Sequence, residues 1–148
     1  MELYKKDIVK FSLGIAISLI AYFFIMESLD MIHNFSLRLF NLVILATGIF
    51  LCIKHLKNNS SSFTYIRGLG AGVITSLFTS LLFAAFTCIY LLSNPAFMAE
   101  VKEVEPQGVY LNEFSVALLL FIELTAAGVL ISYASMQWLK KDISNEMT

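Results

Sequence analysis

The sequence predicts an all-α, polytopic membrane protein: a four-helix transmembrane bundle with both termini on the cytoplasmic side. Three observations predict it. Apolar residues make up 58% of the chain and charged residues 14%, with a mean hydropathy of +0.78. Soluble domains average about 25% charged and 45–50% apolar residues, so there is too little polar surface here to cover a water-soluble globule. Four segments are apolar and long enough to cross a bilayer. Lysine and arginine fall almost entirely on one side of the path those segments trace. The 148 residues suffice for one domain, residues 1–148.

The first span is expected at about 8–26. Phe11 to Met26 carries no charge and lies between Lys10 and Glu27. Those residues cover only about 24 Å as a helix, but Lys10 can snorkel and bring Ile8 and Val9 into the span. No small-x-small cleavage site follows the apolar run, which continues into Met26-Glu27-Ser28-Leu29-Asp30, so a retained helix is expected rather than a signal peptide.

The second span is expected at about 37–53, between Arg38 and Lys54. A polar linker should follow from Lys54 to Arg67, around Asn58-Asn59-Ser60-Ser61-Ser62. Asn59-Ser60-Ser61 and Asn34-Phe35-Ser36 match the glycosylation sequon, a short pattern that carries little weight.

The third segment is the longest, with no charge between Arg67 and Glu100. Pro95 divides it, because proline cannot continue a helix without losing a hydrogen bond. The span 68–94 would be about 40 Å long, more than a hydrocarbon core of about 30 Å, so it should tilt or protrude. Ser93 or Asn94 could cap a short outer helix beginning at Pro95. The acidic stretch Glu100-Val101-Lys102-Glu103-Val104-Glu105 reads as a solvated loop, since its spacing matches no calcium-binding loop.

The fourth span, at about 114–139, is interrupted by one charge, Glu123, and ends at Trp138, Lys140 and Lys141, an interfacial anchor.

Direction follows from the basic residues. Lys5, Lys6, Lys10, Lys54, Lys57, Arg67, Lys140 and Lys141 fall on one side, and only Arg38 and Lys102 on the other. Cytoplasmic loops are rich in Lys and Arg, so the termini and the second loop are expected inside. Six acidic residues (Glu27, Asp30, Glu100, Glu103, Glu105 and Glu113) then fall outside. Cys52 lies near the inner end of the second span and Cys88 in the outer half of the third, too far apart in depth for a disulfide. Two free thiols are expected.

No constellation for catalysis stands out, and no enzyme activity is expected. The cysteines show no CxxC spacing, and His33 and His55 fall in different loops, so no metal site or cofactor is expected. The net charge of −1 argues against nucleic acid as a partner. Two features invite a role. The third span carries small residues at every fourth position: Gly68, Gly72, Ser76, Ser80, Ala84 and Cys88. Small residues let helix backbones approach closely in lipid. Packing within the chain is the leading reading, and homodimerisation the next; a pore-lining stripe would need more hydroxyls.

The second feature is Glu123. An ionisable group within a span costs about 2.5–3.5 kcal/mol on insertion scales, and it marks a functional position unless shown otherwise. Tyr22, Asn41, Thr87 and Tyr90 are expected at similar depth and could form a hydrogen-bonded cluster around it. No Lys or Arg shares that depth, so the neutral acid is the expected form. The plain reading is a protonated carboxyl joining helices through one hydrogen bond; the alternatives are a proton- or ligand-linked group and a carboxyl that snorkels laterally. With no second intramembrane carboxylate, paired acid–base chemistry has no candidate partner.

The stretch from Phe63 to Glu100 resembles the signature region of an uncharacterised family of small four-helix membrane proteins of Bacteroidetes-type bacteria, a domain of unknown function. The resemblance rests on Phe63 and Tyr65, on Gly68, Gly70 and Gly72, on the Ser/Thr- and aromatic-rich helix, and on Ile89-Tyr90 followed by Asn94-Pro95-Ala96-Phe97. It implies a multi-pass protein of the bacterial inner membrane and supplies no catalytic residues. The expected role is that of a non-enzymatic accessory or interaction subunit whose partners are the lipid bilayer and either a second copy or another membrane protein. The rival is a small transporter or channel subunit using Glu123. Small multidrug exporters also combine four helices with one membrane glutamate, but theirs lies in the first helix.

Overall fold

In a computed structural model of the chain, the apolar segments form four long helices, and the described residues are 2–29, 35–59, 63–104 and 108–146. Asp30, His33, Asn34, Ser60, Ser61 and Glu105 lie outside them, as do the side chains of Arg38, Lys140 and Lys141. The helices are α1 (Glu2–Ser28), α2 (Phe35–Asn59), α3 (Tyr65–Ser93), the short α4 (Pro95–Val104) and α5 (Glu113–Glu146), with a 3₁₀ turn at Gly108–Tyr110 before the last. All four long helices contain a stretch apolar enough to cross a membrane: Lys5–Ser28, Leu39–Asn59, Tyr65–Ser93 and Glu113–Leu139.

Three expectations change. The helix α2 does not end at Lys54 but runs on to Asn59. Leu56 explains it: spaced one turn from Cys52 and Ile53, it buries itself with Ile8 and Ala71 and so holds the polar end of the helix in register. His55 therefore sits on a helix and not in a loop. The acidic stretch from Glu100 is likewise helical as far as Val104, as the end of α4. This amphipathic piece starts at proline, whose fixed φ suits the first helical turn, and anchors itself through buried Met98. Neither Ser93 nor Asn94 caps it by side chain. Ser93 Oγ donates back to Ile89 O (2.8 Å) and Asn94 Nδ2 to Tyr90 O (3.4 Å); only the Asn94 carbonyl serves α4, accepting from Met98 N–H at 3.2 Å. Asn112, by contrast, is a side-chain cap: its Oδ1 accepts from Ser115 N–H (2.8 Å) and opens α5.

The bundle is a skewed square. Going round it, α1 neighbours α2, α2 neighbours α5, α5 neighbours α3, and α3 returns to α1. A further contact joins α2 to α3 across the short diagonal, and the α3–α5 interface is the most extensive. Leu19, Leu45, Ile49, Ile53 and Met136 fill the centre, all almost wholly buried.

The small residues of α3 account for that arrangement. Gly68, Gly72, Ser76, Ser80 and Ala84 are buried, while Cys88 is only partly so. A Cβ at Gly68 would collide with Met136 and Phe63, one at Gly72 with Ser132, and one at Gly128 of α5 with Ser76. The two helices thus touch through reciprocal notches, and packing within the chain takes up this face.

Candidate functional site

A second stripe runs beside the small-residue one, displaced by one position: Ala71, Thr75, Thr79, Phe83 and Thr87, all buried. Its hydroxyls meet α1 and α2. Ser12 Oγ donates to Ile8 O (2.8 Å) and lies 3.3 Å from Thr75 O, while Thr79 Oγ1 donates to Ser12 O at 3.3 Å. Cys52 Sγ is 3.4 Å from Thr75 Oγ1. On the other side of α3, Ser80 Oγ and Thr125 Oγ1 lie 2.8 Å apart, and Ser132 Oγ donates to Gly128 O at 2.6 Å. The interior of the bundle therefore holds hydroxyls that bond to backbone or to one another, and among the described residues no charged side chain is buried there. The bonds that cross between helices, Ser12 with Thr75 and Thr79, Cys52 with Thr75 and Ser80 with Thr125, fix helix register in lipid, each contributing about 0.6–2 kcal/mol.

Glu123 is not part of this interior. It lies on the outward surface of α5, in a stripe with Leu119, Ala126 and Leu130, and among the described residues it has no hydrogen-bond or ion-pair partner. The cluster expected around it does not assemble, because α5 turns Leu124 and Gly128 inward and so carries Glu123 round to the outside. Thr87 donates instead to Phe83 O of its own helix (2.9 Å). Tyr22 stacks on Phe40, ring centroids 6.2 Å apart. Asn41 is half-buried, and its enclosed Oδ1 lacks a partner among the described residues.

Tyr90 belongs to a different carboxylate. Its Oη donates to Glu27 Oε1 at the far end of α1, within an aromatic cluster of Phe23, Phe24, Phe86 and Phe97. Phe23 lies 5.1 Å from Tyr90 and 5.7 Å from Phe86, and Phe97 of α4 lies 5.5 Å from Tyr90, all edge-on. The rings fill the space between α1, α3 and α4 against one another and so tie α4 to the bundle. Glu27 was legible only as an acid at the outer end of the first span.

At the opposite end, the carboxylate of Asp7 is 3.7 Å from His55 Nε2, and the Phe11 ring packs 5.4 Å from the imidazole. These residues stand at the mouth of an open groove between α1 and α2, with a volume of about 790 Å³. Among the described residues, no three His, Cys, Asp or Glu side chains come together as a metal site would require. Both cysteines are free thiols.

Four long apolar helices around a hydroxyl-bonded interior define a multi-pass helical membrane protein. A model of a family described as a protein of unknown function (DUF4199) matches residues 10–141. The chain belongs to that family, whose match takes in α2, α3 and α4 whole and all but the outer ends of α1 and α5. Compared with curated proteins and with solved structures, the chain matches none.

Proposed function

We propose that the chain is a non-enzymatic accessory subunit of the bacterial inner membrane that docks another transmembrane helix on the outward face of α5, with Glu123 as the contact. The supporting observation is the unpartnered carboxyl on that face. In lipid alone such a group gains nothing and carries a penalty of about 2.5–3.5 kcal/mol, whereas a neighbouring helix can offer it a hydrogen bond. The rival role, transport through the bundle, has less support: Glu123 faces away from an interior whose hydroxyls already bond within the chain. The bias of Lys and Arg supports both termini being cytoplasmic.

Purification in a mild detergent, followed by native mass measurement, tests the role. Wild type is expected to carry a partner chain or a second copy; Glu123→Leu should release it, and Glu123→Gln, which can still form hydrogen bonds, should keep most of it. Wild type recovered only as a bare monomer counts against the proposal. Liposome flux that differs between wild type and Glu123→Gln would restore the transport reading.

A further inference from the structure

The groove between α1 and α2 has a shape that distinguishes among occupants. Its walls run from Asp7 and Lys10 to Ser18 on α1, and from His55 back to Val43 on α2. At 1.5 Å per residue, that is about 16–18 Å, close to one leaflet of a hydrocarbon core about 30 Å thick. One turn past Ser18 and Val43, the stacked rings of Tyr22 and Phe40 bridge the two helices and close the groove. It is therefore open at the membrane surface and blind near mid-depth. A transmembrane helix would need a furrow along the whole span.

The lining is matched to a hydrocarbon chain. Phe11, Ile15, Ile44 and Leu51 are apolar. Ser18 Oγ donates to Gly14 O (2.9 Å) and Thr47 Oγ1 to Val43 O (2.8 Å), so neither hydroxyl asks for a polar ligand. Open space stands over Gly14, where an added Cβ would touch nothing within 4 Å. Polar character is confined to the mouth, where Lys10 and His55 lie beside Asp7. Lys5, Lys6, Lys54 and Lys57 occupy the same end of the bundle. Lys10 and Asp7 offset each other at the rim itself, but the end of the bundle around it is net basic, and it suits a phosphate of net negative charge.

We propose that this groove binds one anionic phospholipid, an acyl chain lying between Gly14 and Thr47 and the phosphate at the Lys10 rim. The proposal is independent of any docking at Glu123.

The test uses the full chain in mild detergent with phosphatidylglycerol or phosphatidylcholine added, and counts retained lipids by native mass spectrometry. Wild type should keep one phosphatidylglycerol in preference to phosphatidylcholine. Gly14→Phe, which fills space that is open in the fold, should lower that retention by about tenfold while leaving the helical circular dichroism and thermal unfolding unchanged. Lys10→Gln leaves the groove open and should reduce the preference for phosphatidylglycerol about fivefold. Equal retention of the two lipids by wild type, or a Gly14→Phe protein that holds phosphatidylglycerol as wild type does, overturns the proposal. So does a dimer mass in wild type that Gly14→Phe abolishes, which would identify the occupant as a second copy.

Discussion

Single atoms set how closely the helices approach. Gly72 faces Ser132 and Gly128 faces Ser76, each leaving no space for a Cβ. Gly72→Leu or Gly128→Leu should overpack the α3–α5 interface and cost at least about 1–3 kcal/mol, read by denaturant titration in mixed micelles. Thr75 has a subtler part: its hydroxyl meets Cys52 and its carbonyl meets Ser12. Thr75→Val keeps the shape and removes the hydroxyl, with an expected loss of about 0.6–1.7 kcal/mol in the same titration. The first stripe was legible because small residues recur every fourth position. The second, with Thr75, Thr79 and Thr87, has the same period and was equally open to reading, but threonine in a span resembles ordinary apolar filling until its partner is known. Ser12 is the partner, and nothing in its neighbourhood on α1 sets it apart from Ser18, which faces the groove.

At the level of elements, hydropathy placed the four spans because lipid imposes an apolar length on each. It misplaced the end of α2, since Lys54, His55 and Lys57 speak for water while Leu56 alone holds the helix to the core. It also left α4 as a loop beyond its first residues, because ten residues with two acids and a lysine show little of the contact that Met98 and Phe97 make. That contact is testable. Tyr90→Phe removes the bond to Glu27 and should cost on the order of 1 kcal/mol at this partly exposed site. Phe97→Ala, which removes the ring that packs α4 on Phe23 and Tyr90, should speed amide exchange in α4 ahead of the long helices, because α4 has few other ties. Gly108 closes the far end of the same element: a Cβ there would strike the Lys102 carbonyl, so Gly108→Ala should likewise accelerate exchange in α4 and leave α1 to α3 unaffected.

For the whole molecule, the number of helices followed from composition, but which helix faces which did not. Sequence alone puts Glu123 within the fourth apolar segment and leaves its azimuth open, because a carboxyl in an apolar run has the same hydropathy whether it points inward or outward. Azimuth is decided by the notch of Gly128 on Ser76, which turns the rest of α5. The expected topology makes one further prediction: a reporter fused after residue 148 should be active only if it folds in the cytoplasm. An externally active fusion would reverse the orientation. In the skewed square, α1 and α5 stand at opposite corners with no extensive contact between them. Ligands held at those two corners would not compete for space. The chain would then have the geometry of a bivalent adaptor, gripping lipid with one corner and protein with the other, and the effects of Gly14→Phe and Glu123→Leu should combine additively in the double variant.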